Sequence, residues 1–119
     1  MELSDYLIPA QIPDFTFKDG KNHRRMGDVL LSYHDEEHFP DLEHIDIALI
    51  GVEEDRKVAV NKGSAEAPNE VRKYFYPLYK GNYNLKMADL GNIKTGHTVE
   101  DTYYALSSVA ADLISMDIL

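Results

Sequence analysis

The sequence predicts an α/β fold with a parallel sheet, because strand and helix patterns alternate along its second half. Residues 45–52 form a short, nearly continuous apolar run, which is typical of a strand buried on both faces. Residues 99 to about 116 carry the apolar spacing of an amphipathic helix. With 119 residues, 44% of them hydrophobic, the chain has the size and composition of one globular domain. The alternation favours parallel strands joined by right-handed crossovers.

A helix and a second strand are predicted between these two elements. Pro68 suits the first position of a helix, where its missing N–H costs nothing, and Pro77 disfavours helical geometry just before it. The second strand is predicted over 85–90, with Gly91 and Asn92 as loop residues. Thr98 is the expected N-cap of the last helix. The apolar stripe predicted for the first helix consists of Val71, Tyr74, Phe75 and Leu78.

These patterns divide the chain into an irregular segment, 1–44, and a strand–helix–strand–helix unit, 45–119. Within the first part, 23–25 is a small basic island, and 26–33 suits a short strand or one helical turn equally well. Residues 81–82 carry a turn signal. The chain ends in residues 115–119 on apolar side chains, and we therefore expect that it is cut where a third strand should begin. A naturally short protein would show the same pattern.

Charge and cysteine content exclude several classes of function. Lys and Arg number 12 and Asp and Glu number 21, so the net charge is −9. An acidic surface repels phosphate backbones and anionic lipids, and we therefore expect neither nucleic-acid nor membrane partners. The absence of cysteine excludes disulfides and thiolate sites. No signal peptide or bilayer-length apolar segment is evident, and we expect a soluble, cytoplasmic protein.

The polar loop at 53–67 carries the candidate binding residues. Asn61 offers amide hydrogen bonds, and Lys62 offers a cation that suits a substrate carboxylate, although a plain loop is an equally good interpretation. The carboxylates at 53–55 follow a strand end, where α/β sheets bind ligands, but a solvated acidic turn explains them as well. Asp89 is expected to accept hydrogen bonds from the turn after it.

A histidine pair matches the H-x-x-E-H pattern of a zinc site. On a helix, His34 and His38 would share one face and Glu37 would polarise a water molecule. Pro40 follows closely and no long apolar helix flanks the motif, so a solvated acidic loop is the preferred interpretation.

Four segments resemble the ureohydrolases, the family of arginase, agmatinase and formimidoylglutamase. Residues 47–56 (IALIGVEEDR) are similar to the family's first strand and loop. Residues 61–72 (NKGSAEAPNEVR) are similar to its N-x-G…G-P-x-x-I-R stretch, and 89–92 (DLGN) to its D-x-G-D strand end. Residues 26–28 (MGD) resemble an L-G-D segment of the formimidoylglutamase branch. The sequence departs from the family at Glu53, Ala67 and Asn92, where Pro, Gly and Asp are usual.

The resemblance implies the N-terminal portion of an arginase-like fold, a partial three-layer α/β/α arrangement. The family hydrolyses a C–N bond of a guanidino or formimidoyl substrate with two Mn²⁺ ions, which generate a hydroxide nucleophile. Its G-G-x-H, D-x-H-x-D and late D-x-D ligand segments do not occur in this sequence. We therefore expect an inactive fragment without catalytic or metal-binding residues of its own, in which Asn61 and Lys62 lie at the substrate mouth.

The alternative is a non-catalytic α/β module that acts through self-association or partner binding. Two parallel strands leave sheet faces and edges uncovered, which favours pairing between chains. A homo-oligomer is therefore expected under either interpretation.

Overall fold

The structure, a computed structural model, describes residues 2–13, 25–81 and 83–119. His23 and Arg24 of the basic island and Asn82 of the predicted turn lie outside the described residues. Within these described residues, two short 3₁₀ turns, Leu3–Tyr6 and Ser64–Glu66, accompany four strands and three helices. In chain order these are β1 (Leu7–Ile8), α1 (Met26–Val29), β2 (Leu31–Ser32), β3 (Ile47–Val52), α2 (Ala67–Phe75), β4 (Met87–Ile93) and α3 (Val99–Ser115).

The four strands form one mixed sheet in which β4 is the central strand. The parallel pairing predicted for the two longest strands is confirmed, with Ile47 of β3 opposite Met87 of β4. On the other side of β4 lie β2, which is parallel, and β1, which is antiparallel. The α/β class is confirmed. The expectation of a purely parallel sheet is wrong, because β1 in the N-terminal segment pairs in the opposite direction.

A β-bulge lies at Gly91, which the sequence placed in a loop. The strand β4 continues through Gly91 and Asn92, and the pairing shifts between Leu49–Asp89 and Gly51–Asn92. Gly91 has a φ of 78°. A Cβ there would lie 2.0 Å from the carbonyl oxygen of Ile8, so glycine allows β1 to approach. The loop prediction is therefore wrong, because the extra residue is absorbed within the strand and the side chain of Asn92 is turned toward α2.

The helix α3 forms as predicted and covers the main hydrophobic core. The Thr98 hydroxyl accepts a hydrogen bond from the Asp101 N–H at 3.1 Å, so the predicted N-cap is confirmed. Val109 and Leu113 of α3 pack in one buried cluster with Leu90 and Ile93 of β4. Within the described residues, no helix has both the length and the apolar character that crossing a bilayer requires.

The helix α2 ends before Pro77 as predicted, but its buried face differs from the predicted one. Val71 is 55% and Tyr74 75% exposed, whereas Arg72 and Tyr76 are almost completely buried. The predicted apolar stripe is therefore wrong. The reason is tertiary, since this helix faces Asp89 of β4 and buries the side chains that bond to that carboxylate.

Candidate functional site

The loop after β3 lies at the carboxyl end of a parallel strand. At this point the chain connections leave toward opposite sides of β3. The connection through α2 leads from β3 to β4 on one side of β3. After α3, the chain returns to the other side of β3, where the Ala48 N–H donates to the Leu119 carbonyl at 2.8 Å. A strand with connections to both of its sides marks the topological switch point, where the strand order reverses and where open α/β sheets bind ligands. The geometry makes residues 53–66 the candidate site.

An ion pair fixes the first part of this loop. The Nε and Nη2 atoms of Arg56 donate to the Glu54 carboxylate at 2.9 and 2.5 Å. The Arg56 Nη1 and Nη2 atoms also donate to the carbonyls of His97 and Gly96, at 2.9 and 3.0 Å, and so join the loop to the start of α3. The hydrogen bonds from Arg56 lower the pKa of Glu54 from 4.5 to about 2. Glu54 therefore stays ionised at neutral pH as part of this loop anchor.

A second set of hydrogen bonds closes the loop around Lys62. Its ammonium group donates to the carbonyls of Asp55 and Arg56 at 3.2 and 3.1 Å. The Asp55 carboxylate accepts from the Gly63 N–H at 2.7 Å, and Gly63 has a φ of 97°. Glu54 and Asp55 are thus engaged separately within the loop rather than facing a shared cation.

The two predicted substrate-binding residues lie next to each other on the exposed surface of this loop. The Asn61 carbonyl accepts from the Ser64 N–H at 3.2 Å, and both Asn61 and Lys62 are exposed. The structure places them at the carboxyl end of the sheet. Their role in binding a substrate stays a prediction.

Beneath the loop, α2 and β4 are joined by a buried polar network centred on Arg72. The Nε and Nη2 atoms of Arg72 donate to the two Asp89 oxygens at 2.7 and 2.9 Å, a bidentate ion pair. Its Nη1 atom donates to Asn92 and Asn69, at 2.8 and 3.2 Å, and its Nη2 atom also donates to the Gly91 carbonyl at 2.9 Å. All five guanidinium N–H groups therefore have acceptors.

The Asp89 carboxylate is equally well satisfied. It accepts from Arg72, from the Tyr76 hydroxyl at 2.6 Å and from the Gly91 N–H at 3.0 Å. Burial and the bond to Asp89 raise the pKa of Tyr76, so its hydroxyl keeps its proton and donates. The predicted hydrogen bond to Asp89 is present in the Gly91 contact, although Gly91 belongs to β4 rather than to a turn. The ion pair was missed, because Arg72 and Asp89 are 17 residues apart and no local pattern relates them.

The histidine pair is not on a helix. Residues 34–38 form a turn, in which the His38 Nδ1 lies 2.9 Å from Asp35 Oδ2 and the His34 Nδ1 lies 3.0 Å from the Ser32 carbonyl. In the described part of the chain, no three His, Asp or Glu side chains are grouped to hold a metal ion. These residues do not fit a Mn²⁺ pair, and no metal-dependent step follows from them.

No protein-family model, curated protein or solved structure matches this chain.

Proposed function

We propose that this chain is the N-terminal part of a cytoplasmic Mn²⁺-dependent ureohydrolase, formimidoylglutamase-like or arginase-like. It would act on a small guanidino or formimidoyl substrate and would be inactive alone. One observation carries the proposal. Two segments that resemble the family, 61–72 and 89–92, meet in the buried contact between Arg72 and Asp89. Sequence similarity alone does not require that contact.

The packing of the two long helices supports the arginase-like, three-layer arrangement. Asp89 contacts Arg72 of α2, whereas the next residue, Leu90, packs with Val109 of α3. Neighbouring side chains of a strand point to opposite faces of its sheet. The two helices therefore contact different faces of β4, as the middle layer of an α/β/α fold requires.

The role proposed for this chain is to shape the substrate mouth. The anchors formed by Arg56 and Lys62 hold residues 53–63 at the carboxyl end of β3. Lys62 donates two hydrogen bonds to carbonyls, and an ammonium group has three N–H donors. The remaining donor, with the neighbouring Asn61 amide, suits the carboxylate of an amino-acid substrate.

A chimera tests this proposal. The chain would be followed, after Leu119, by the metal-bearing remainder of a ureohydrolase, and hydrolysis of arginine, agmatine and formimidoylglutamate would be assayed with Mn²⁺. We expect hydrolysis by the chimera and none by the chain alone. A folded chimera that binds Mn²⁺ without hydrolysing any of the three substrates would contradict the proposal.

Lys62→Met in the active chimera tests the substrate-mouth assignment. Loss of a carboxylate contact that is equal in the ground and transition states would raise KM and leave kcat unchanged. The matched control is Lys86→Met, at an exposed position before β4. Equal KM values for the two variants would remove Lys62 from the proposed binding residues.

The alternative function, a module that works by association, is favoured by a separate observation. Large side chains are exposed on both long helices, among them Tyr74 on α2 and Tyr104 and Ile114 on α3, which are 68–75% exposed. Sedimentation equilibrium at micromolar concentrations tests it. A defined dimer or larger oligomer is expected, and a monomer would contradict it.

A further inference from the structure

A hollow lies at the amino end of the parallel strands, opposite the end that carries residues 53–66. Its walls include residues that lie shortly before three of these strands, namely Val29 before β2, Ile45 before β3 and Leu85 before β4. The hollow has a volume of about 340 Å³, within the range of roughly 300–1,000 Å³ that is usual for small-ligand pockets. It is therefore large enough to hold a small molecule.

A smaller hollow of about 210 Å³ adjoins the first and reaches the end of α2. The two hollows form one groove, because they share the lining residues Val29, Lys80, Leu85 and Met87. The other residues that line the smaller hollow are apolar or aromatic, namely Met26, Phe75 and Tyr83. Apart from Lys80, no residue that lines the smaller hollow carries a charge. This part of the groove therefore suits an apolar chain.

Two lysines of the groove have ammonium groups with no acceptor among the described residues. These are Lys80, which lines both hollows, and Lys86, which lines the larger one. Elsewhere, Lys57 and Lys73 pair with glutamates, and Lys62 donates to main-chain carbonyls. The larger hollow therefore offers two cationic donors that no other part of the described chain uses.

The charge that lines the groove is net positive, opposite in sign to that of the whole chain. Glu43 is the one carboxylate among the lining residues, and its side chain is 73% exposed and lies 3.5 Å from the His44 Nε2. The Asp46 carboxylate accepts from the main-chain N–H of Lys86, at 2.9 Å, rather than from its ammonium group. A net charge of −9 repels anions in general. An anion that binds in the groove must therefore be attracted by these local ammonium groups.

We propose that this groove binds a small monocarboxylate with an apolar chain, a medium-chain fatty acid anion. The carboxylate lies in the larger hollow, where it accepts charge-assisted hydrogen bonds from Lys80 and Lys86. The apolar chain lies in the smaller hollow, against Met26, Phe75 and Tyr83. The inference does not depend on the proposed function, because the groove and the loop at 53–66 lie at opposite ends of the sheet.

The simpler interpretation is that the two lysines cover apolar surface with their stems and keep their ammonium groups in water. The shape of the groove argues against it. The lysine stems leave a hollow between them, and Leu85, which lines both parts of the groove, is still 49% exposed. Exposed apolar surface of this kind, bordered by polar groups, marks a binding site.

The test is an NMR titration of the full chain, in which amide shifts report both the affinity and the place of binding. We expect octanoate to give saturable shifts at Val29, Leu85 and Met87. Butyrate should bind at least about tenfold more weakly, because each buried methylene is worth about fourfold in affinity. Octylammonium should also bind at least about tenfold more weakly, because the two lysines repel it, although the net charge of the chain favours it.

Two pairs of variants test the head and the chain of the ligand separately. Lys80→Met should weaken octanoate binding about three- to fivefold, whereas Lys94→Met, at an exposed position after β4, should leave it unchanged. Leu85→Glu places a carboxylate in the groove and should abolish binding. The matched control is Leu78→Glu, which should preserve binding because Leu78 is similarly exposed, at 54%, but does not line the groove.

Four results would overturn the proposal. The first is the absence of saturable shifts with octanoate, and the second is a set of shifts that lies away from Val29, Leu85 and Met87. The third is equal affinity for octanoate and octylammonium, or for octanoate before and after Lys80→Met, because the ammonium groups would then not select the ligand. The fourth is a concentration-dependent shift of Val29 and Leu85 without ligand, because a second copy of the chain would then occupy the groove.

Discussion

Asp89→Ala is expected to lower the free energy of unfolding by about 3–5 kcal/mol, because it removes the anion of a buried ion pair. Arg72 is 1% exposed and Asp89 0%, so water cannot replace the lost carboxylate. The substitution leaves the Arg72 Nε–H, one Nη2–H and the Gly91 N–H without their acceptor. A chain of 119 residues has a total stability of about 6–18 kcal/mol. The loss is therefore a large fraction of the whole.

A double-mutant cycle separates the ion pair from the packing of its two side chains. Arg72→Met and Asp89→Ala together remove both charges, and we expect the double variant to be about 2–3 kcal/mol more stable than the sum of the single losses predicts. The control cycle uses Glu70→Ala and Lys73→Met, an exposed pair on α2 with a 2.6 Å contact. Its coupling should be at most about 0.5 kcal/mol, because solvent screens exposed charges.

The assay is urea unfolding followed by circular dichroism, since the chain contains no tryptophan. Additivity within about 0.5 kcal/mol for Arg72 and Asp89 would show that the two side chains do not form a coupled, buried ion pair in solution. A loss for Asp89→Ala no larger than that for Glu70→Ala would lead to the same conclusion.

Three further substitutions test the loop, the bulge and the last helix. Glu54→Gln should flatten the fall in stability between pH 4.5 and about 2 in acid titration, because a carboxylate with a lowered pKa stabilises the fold above that window and loses its effect within it. Gly91→Ala should cost more free energy of unfolding in urea than Gly63→Ala, since both have positive φ but only Gly91 would clash with a neighbouring strand. Thr98→Ala should cost about 1 kcal/mol in the same assay through loss of the N-cap, whereas Ser107→Ala on the exposed side of α3 should cost little.

For each of these three predictions, one result would contradict the expected effect. An unchanged acid profile for Glu54→Gln would mean that its ion pair with Arg56 does not form in solution. Equal losses of unfolding free energy for the two glycine variants would contradict the position of β1 beside the bulge. If Thr98→Ala lost no more unfolding free energy than Ser107→Ala, the N-cap role of Thr98 would be contradicted.

The elements that the sequence predicted are those determined by local patterns. The apolar run predicts β3, and the spacing of Val109 and Leu113, with the cap at Thr98, predicts α3. Pro77 predicts the end of α2. In each case the determining residues lie within one element or directly beside its end, so no knowledge of the tertiary arrangement is needed.

The features that could not be predicted from the sequence depend on contacts between distant segments. The buried face of α2 carries Asn69, Arg72 and Tyr76, a polar stripe at helical spacing that reads as solvent-facing until its partner is known. That partner, Asp89, is brought to the helix by the sheet. The bulge at Gly91 depends on the approach of β1, which comes from the N-terminal segment.

The candidate site was predicted in part. The loop and its position at a strand end followed from the sequence, and the structure places Asn61 and Lys62 there. The anchoring of the loop by Arg56 was not predicted, because its acceptors at His97 and Gly96 belong to the segment before α3.

The proposed ureohydrolase function is tested most directly by reading the coding sequence beyond the codon for Leu119. If the chain is the N-terminal part of such an enzyme, the frame stays open and encodes an apolar strand, then a Gly-Gly turn followed by histidine, and later a D-x-H-x-D run. A stop codon directly after Leu119 would contradict the proposed function, because the polypeptide would then lack the residues that hold the Mn²⁺ pair.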